Sequence, residues 1–263
     1  MAEQTDIYGV KLLIRPTGAL TFRRMPSAIL HISTYPFLPP STMSGWLRRL
    51  YLMAAGIYPD TSVSNPDYFV MPEEYHVMGA YPVTRPGLEQ SVHTTKRQGV
   101  RAFNHNAFSR LVGSRTNKEV YQLHTWEYLF VGTLQGFVLH RDPEALERIH
   151  ALHNLGCKCG KEGYAYLDHV SEVRRFSLIT TVSQPTVPAT GQELLGKPAD
   201  LFVAYRHEYS SKKRLEAGDP ALLEPSNIDG FVSLWLGWPA DNVELTYLTD
   251  GEHYIPAGMM EVF

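Results

Sequence analysis

Six cations and no acid stand between Ile7 and Pro59: Lys11, Arg15, Arg23, Arg24, Arg48 and Arg49. Inside that stretch, Tyr35-Pro-Phe-Leu-Pro-Pro-Ser-Thr42 runs straight into a helical pattern, so Ser41 or Thr42 stands where a hydroxyl caps a helix. Free N–H groups at a helix start, together with the helix dipole, bind phosphate without a dedicated side chain. Ser41, Thr42 and Ser44, with Arg15, Phe22, Arg23, Arg24 and Arg48 around them, read as an anion site. The anion that suits it is a nucleic-acid backbone. The plain alternative is an ordinary capped helix with arginines on its surface.

A second group lies between Thr84 and Thr125, where Arg85, Lys96, Arg97, Arg101, Arg110, Arg115 and Lys118 face only Glu89 and Glu119. His93, Phe103, His105, Phe108 and Tyr121 are interleaved with them. Charge that follows a backbone and rings that accept stacked bases are the ingredients of single-strand binding. Lys96, Arg97, Arg101, Arg110 and Arg115 are the expected contacts, against a solvated basic loop as the alternative. His150, His153, Cys157 and Cys159 offer four zinc ligands on paper, but Cys-x-Cys is tighter than the usual structural-zinc knuckle. A surface histidine pair and buried thiols are the simpler reading, and no metal or other cofactor is expected. Phosphate-loop, nucleophile-elbow and His-Glu-x2-His motifs do not occur.

These groups need elements to hold them. Gly9–Ile14 is a strand candidate ended by Pro16 and Gly18. Met43, Trp46, Leu47, Leu50, Met53 and Ala54 repeat at helical spacing, with Arg48 and Arg49 off that face and Gly56 as a left-handed stop. Tyr75–Val83 reads as a strand, the basic stretch as an extended hairpin or arm, and Trp126–Leu139 as a further strand. Asp142-Pro143 starts a second helix that runs to Leu155. A loop punctuated by Gly156, Gly160 and Gly163 precedes a strand at Tyr164–Val170. The order is βαββαβ, a ferredoxin-like or RRM-like α+β plan. It spans residues 1–175, with an insertion at about 84–125, and residues 176–263 read as a smaller β-rich lobe.

Composition narrows the class. With 263 residues and 44% hydrophobic content the chain can bury a real core. No apolar run approaches the roughly 20 residues of a membrane span, the start lacks signal-peptide character, and two cysteines suit a reducing compartment. A soluble cytoplasmic protein is expected. The net charge of −3 conceals a half up to Trp126 at +5 and a remainder at −8. Such asymmetry suits a subunit with RNA on one side and protein on the other, although surface charge also drifts by chance.

Leu20-Thr-Phe-Arg-Arg24 followed by Ser33-Thr-Tyr-Pro-Phe-Leu-Pro-Pro-Ser-Thr-Met-Ser-Gly-Trp-Leu47 resembles the N-terminal signature of CRISPR-associated family five. The glycine loop and the basic insertion after the second strand also resemble features of its wider RAMP superfamily. The resemblance covers about the first 175 residues. It implies an RRM-like fold with a thumb and a cap subunit that holds the 5′ handle of the guide RNA (crRNA) in a type I Cascade complex. Its partners would be the backbone subunits, the large subunit, the crRNA-processing subunit and target DNA reached through the guide duplex, with no membrane. Some members cut precursor RNA without a metal, which requires a general base and a general acid. His93, Lys96, Tyr81 and His31 are the groups available for that, but no adjacent Lys-His pair occurs in the arm. The expected role is non-catalytic. The alternatives are an endoribonuclease or a protein-interaction module without RNA.

Overall fold

Val10, Leu12 and Ile14 alternate along β1 (Ile7–Pro16) and are buried, which makes this strand the spine of the molecule. The computed structural model describes residues 6–24, 31–57, 70–83, 91–99, 122–209 and 228–263. In chain order, β2 (His31–Ile32) is followed by α1 (Pro40–Ala54), β3 (His76–Pro82), β4 (Ser91–Gly99), β5 (Gln122–Phe130) and β6 (Leu134–His140). Then come α2 (Pro143–Glu147), a 3-10 turn (Arg148–Leu152), β7 (Gly156–Lys158) and β8 (Tyr164–Val170). β1 pairs with β6 along one edge and with β8 along the other, and β6 pairs with β3, all antiparallel. Reading across gives β8-β1-β6-β3, the sheet of a ferredoxin-like βαββαβ unit, as the sequence order requires.

Two elements differ from the sequence expectation. Trp126–Leu139 is not one strand: the chain leaves β5 at Phe130 and re-enters the main sheet as β6 at Leu134. β5 pairs instead with β4 and, in parallel, with β2, so the basic insertion is rooted in its own three-stranded sheet. The second helix is one short α segment, with Asp142 Oδ1 accepting from the Glu144 amide, continued by a 3-10 turn. Its apolar residues Leu146, Ile149 and Leu152 are buried all the same.

The remaining strands are β9 (Arg174–Ser183), β10 (Ala189–Thr190), β11 (Ala199–Tyr209), β12 (Ile228–Pro239), β13 (Val243–Thr249) and β14 (Tyr254–Pro256), before α3 (Met259–Val262). β9 continues the main sheet beside the start of β1 and carries β13 and β14 on its far side. β10, β12 and β11 form a further sheet. Phe202 of β11 meets Phe37 at 4.9 Å between ring centres, Phe37 meets Tyr81 at 5.2 Å, and Tyr81 meets Trp238 of β12 at 5.3 Å. Tyr35 and Phe37 therefore act as packing that locks the loop before α1, not as groups turned to a ligand. Among the described residues no helix is long and apolar enough to cross a membrane.

Candidate nucleic-acid interface

β7 and β8 form a tight hairpin whose tip, Cys159 to Gly163, closes with the Cys159 amide donating to the Gly163 carbonyl at 3.0 Å. Gly160 (φ 74°) and Gly163 (φ 104°) take left-handed conformations that a side chain resists. A Cβ at Gly160 would also lie 2.7 Å from the Thr21 carbonyl oxygen, and one at Gly163 2.5 Å from that of Ala19. The two glycines thus let the hairpin tip press onto residues 19–22. The Lys161 amide donates to the Thr21 carbonyl and the Thr21 amide to the Glu162 carbonyl, each at 3.0 Å. Cys159 plugs the core beneath, and Lys158 and Lys161 are left on the surface.

Arg23 and Arg24 leave the adjoining segment exposed, held by an Arg23–Thr34 bridge and by the Arg24 amide donating to the Ser33 carbonyl at 3.0 Å. Lys161 stands in a positive field. Partial burial lowers its ammonium pKa first, Arg23 and Lys158 lower it further, and Glu162 opposes them. Its Nζ lies 4.7 Å from the centre of the Trp126 ring, and the Arg24 guanidinium lies 5.7 Å from that of Tyr35. At the end of the same hairpin, Arg49 is exposed and close enough to Cys157 to oppose the rise that burial gives its thiol. Arg23, Lys158 and Lys161 are exposed cations that act on one another, with the acid Glu162 beside them, around backbone that glycine keeps free of side chains, an arrangement suited to phosphate.

The expected helix-start site is built differently. α1 begins at Pro40 with Pro39 as its cap, and no side-chain hydroxyl caps it; Ser41 and Thr42 lie in the first turn, half-buried. Ser41 and Ser44 line a cavity of about 90 Å3 together with His76, Arg206, Glu73 and Glu261. The stretch that is acid-free along the chain therefore meets two acids in space, which disfavours phosphate there. Ser44 is buried and its Oγ accepts from the Met71 amide at 3.0 Å, so it braces the fold. Arg48 is fully buried, contrary to the expectation that it lies off the apolar face. α1 is packed against β3, β7 and β11, so it is enclosed on more than one side. Phe22 is likewise core, against Gly160, and offers no ring to a base. Arg15 is exposed and pairs with Asp168 at 2.9 Å.

In the arm, His93, Lys96 and Arg97 occupy β4 opposite Tyr128, Thr125 and His124 of β5. Arg101, Arg110 and Arg115 lie outside the described residues. Of the groups considered for RNA cleavage, Tyr81 is buried with its hydroxyl donating to the Met78 carbonyl at 2.8 Å, and burial raises its pKa well above the usual phenol value. His31 is exposed at its edge and meets Glu127 Oε1 at 3.0 Å. The four sulfur and imidazole groups do not gather. His153 Nε2 meets the Asp168 carbonyl at 3.0 Å, His150 faces Glu147 at 3.6 Å, and burial pushes the Cys157 thiol up to about 11 and raises Cys159 as well. Asp250, Glu252 and His253 do bring ligand atoms within 4.8 Å of one another, but Arg174 already bonds both carboxylates at 3.1 Å.

Lys158, Lys161 and Trp126 were not singled out from sequence, and Arg49 was named only as one of six cations in an acid-free stretch. The signal was the run Cys157-Lys-Cys-Gly-Lys-Glu-Gly163, in which two lysines alternate with glycines that need left-handed turns. No family model matches the chain, and no curated protein matches it. The fold is similar to that of a chain in the cryo-EM structure of the type III-B Cmr-beta complex bound to cognate target RNA and AMPPnP. The TM-score is 0.41 at 10% identity, over 86% of each chain.

Proposed function

We propose that this chain is an RNA-binding subunit of a CRISPR ribonucleoprotein, holding the 5′ handle of the guide RNA at the cap of a type I Cascade complex. The observation that carries the reading is the cluster of Arg23, Lys158 and Lys161 around the Gly160–Gly163 tip. It joins the arginines of the Leu20–Arg24 segment, where the sequence resembles CRISPR-associated family five, to the glycine loop by reciprocal backbone bonds. Exposed cations around glycine backbone recognise phosphate and shape, which suffices where base pairing carries sequence specificity. The role is non-catalytic, its partners are the guide RNA, the backbone and large subunits, the crRNA-processing subunit and target DNA through the guide duplex, and it works in the cytoplasm.

The test is to purify the chain with the products of its neighbouring genes and sequence the small RNA retained. RNA with a fixed, repeat-derived 5′ end is expected, and Arg23→Glu with Lys161→Glu should deplete it. Retention that is unchanged in the double variant rules out this cluster as the clamp. Incubation of the purified chain with repeat RNA in EDTA should leave the RNA intact; cleavage that His93→Ala abolishes would replace the present reading with an endoribonuclease.

A further inference from the structure

We propose that the indole face of Trp126 is a nucleobase-stacking site, covered by Lys161 when no RNA is bound and uncovered when the lysine turns to a phosphate. The inference rests on the RNA-binding reading above and assigns that surface its base contact. Trp126 lies on β5, at the root of the basic arm, and only 8% of it is exposed. Part of what covers it is not core. Lys161 is a surface side chain whose ammonium stands 4.7 Å from the ring centre. A cation over an indole is held weakly where water reaches the ammonium, and Lys161 is exposed. Tyr128, two residues along the same strand, is stacked beside Trp126 at 6.4 Å with 21° between planes, and its hydroxyl donates to Glu162 Oε2 at 2.9 Å. Consecutive residues of one glycine-bounded turn thus sit over a pair of nearly parallel rings.

The cover is also the group with most to gain by leaving. Arg23 and Lys158 act against the Lys161 ammonium and Glu162 acts for it, and a phosphate, which carries a full charge, attracts it more strongly than the ring does. Once the lysine swings to the phosphate, the indole offers a flat apolar face next to a sugar–phosphate chain. A base attached to that same chain is the occupant at hand, and every base has a π-face to give. An aliphatic side chain from a protein partner fits less well, because the charged groups of Lys161 and Glu162 stand at the two rings.

The experiment compares tryptophan emission of the full chain with that of Trp126→Phe, so that the difference isolates Trp126 from Trp46, Trp235 and Trp238. The probes are a single-stranded RNA of the repeat-derived 5′ sequence and an abasic ribose-phosphate oligomer of equal length. The RNA should quench the Trp126 component, whereas the abasic oligomer should bind without quenching it. Trp126→Ala should weaken RNA binding roughly tenfold, and Trp126→Phe, which keeps a ring, should restore most of that. Lys161→Ala should raise the accessibility of Trp126 to acrylamide in the free protein. RNA binding that leaves Trp126 emission unchanged overturns the stacking site and spares the RNA-binding reading. Failure of both oligomers to bind overturns that reading and the stacking site with it.

Discussion

At the residue scale, two left-handed glycines separate backbone preference from crowding. Gly56 (φ 69°) ends α1 with its amide donating to the Met53 carbonyl while the Ile57 amide donates to that of Leu52, and among the described residues nothing lies within 4 Å of where a Cβ would be. Gly56→Ala should cost only the backbone strain, about 1 kcal/mol in a denaturant titration. Gly160 has a similar φ but faces the Thr21 carbonyl and the Phe22 ring, so Gly160→Ala should cost roughly 1–3 kcal/mol, the upper range for a strained site. Equal losses at both positions would show that contact with residues 19–22 contributes nothing. Asp250 makes a separate prediction. Burial alone raises its carboxyl pKa, but bonds accepted from the His253 and Glu252 amides and from the His253 ring overcome this and hold it at about 2. A folded pKa below the ordinary 3.8 contributes stability that is present above that value and disappears as pH falls toward 2. Asp250→Asn should therefore flatten the loss of stability over that acid range, measured as melting temperature against pH.

At the element scale, β9 is the strand whose surroundings are least complete. β13 pairs with it from Ser177 to Ser183, while β1 reaches only Arg174 to Phe176 on the other side. Among the described residues no strand lies along the open edge of Ser177–Ser183. That edge has no charge, and Leu178, Ile179 and Val182 are 56%, 45% and 61% exposed. Uncharged, β-prone open edges pair with other chains unless a charge or proline blunts them. The purified chain should therefore associate as its concentration rises, and Val182→Lys should suppress this in light scattering without lowering the melting temperature. An unchanged association would place the contact elsewhere. The arm makes the opposite point. β4 and β5 pair with each other and, through Leu20–Leu129 and Thr21–Glu162 contacts, fasten the arm to the glycine hairpin. The proposed phosphate site and the arm thus share one backbone scaffold.

At the scale of the whole molecule, the charge asymmetry has a measurable consequence. On the proposed reading, a chain of net charge −3 binds RNA through local clusters, so affinity should fall with salt in proportion to the few phosphates neutralised. Replacing two such contacts, Arg23→Gln with Lys161→Gln, should reduce the slope of log K against log salt by about 1.4 for a single strand. A slope that does not change means these side chains meet no phosphate.

The sequence by itself determined the order of elements. Helical spacing from Met43 to Leu50, the Asp142-Pro143 start and the short apolar run Gly9–Ile14 are local signals for the elements of the ferredoxin-like unit. It also pointed to a cationic surface, because six cations and no acid stand between Ile7 and Pro59. It did not reveal that Arg48 is enclosed, since enclosure depends on β3, β7 and β11 meeting around one helix. Nor could it show that Glu73 and Glu261, remote in the chain, stand by Ser41, or that Lys161 stands over Trp126. Periodicity reports which face of one element is apolar, whereas a binding site is made where several elements converge. Only the tertiary structure, by folding distant charges toward or away from each other, moved the proposed anion site from the helix start to the glycine hairpin.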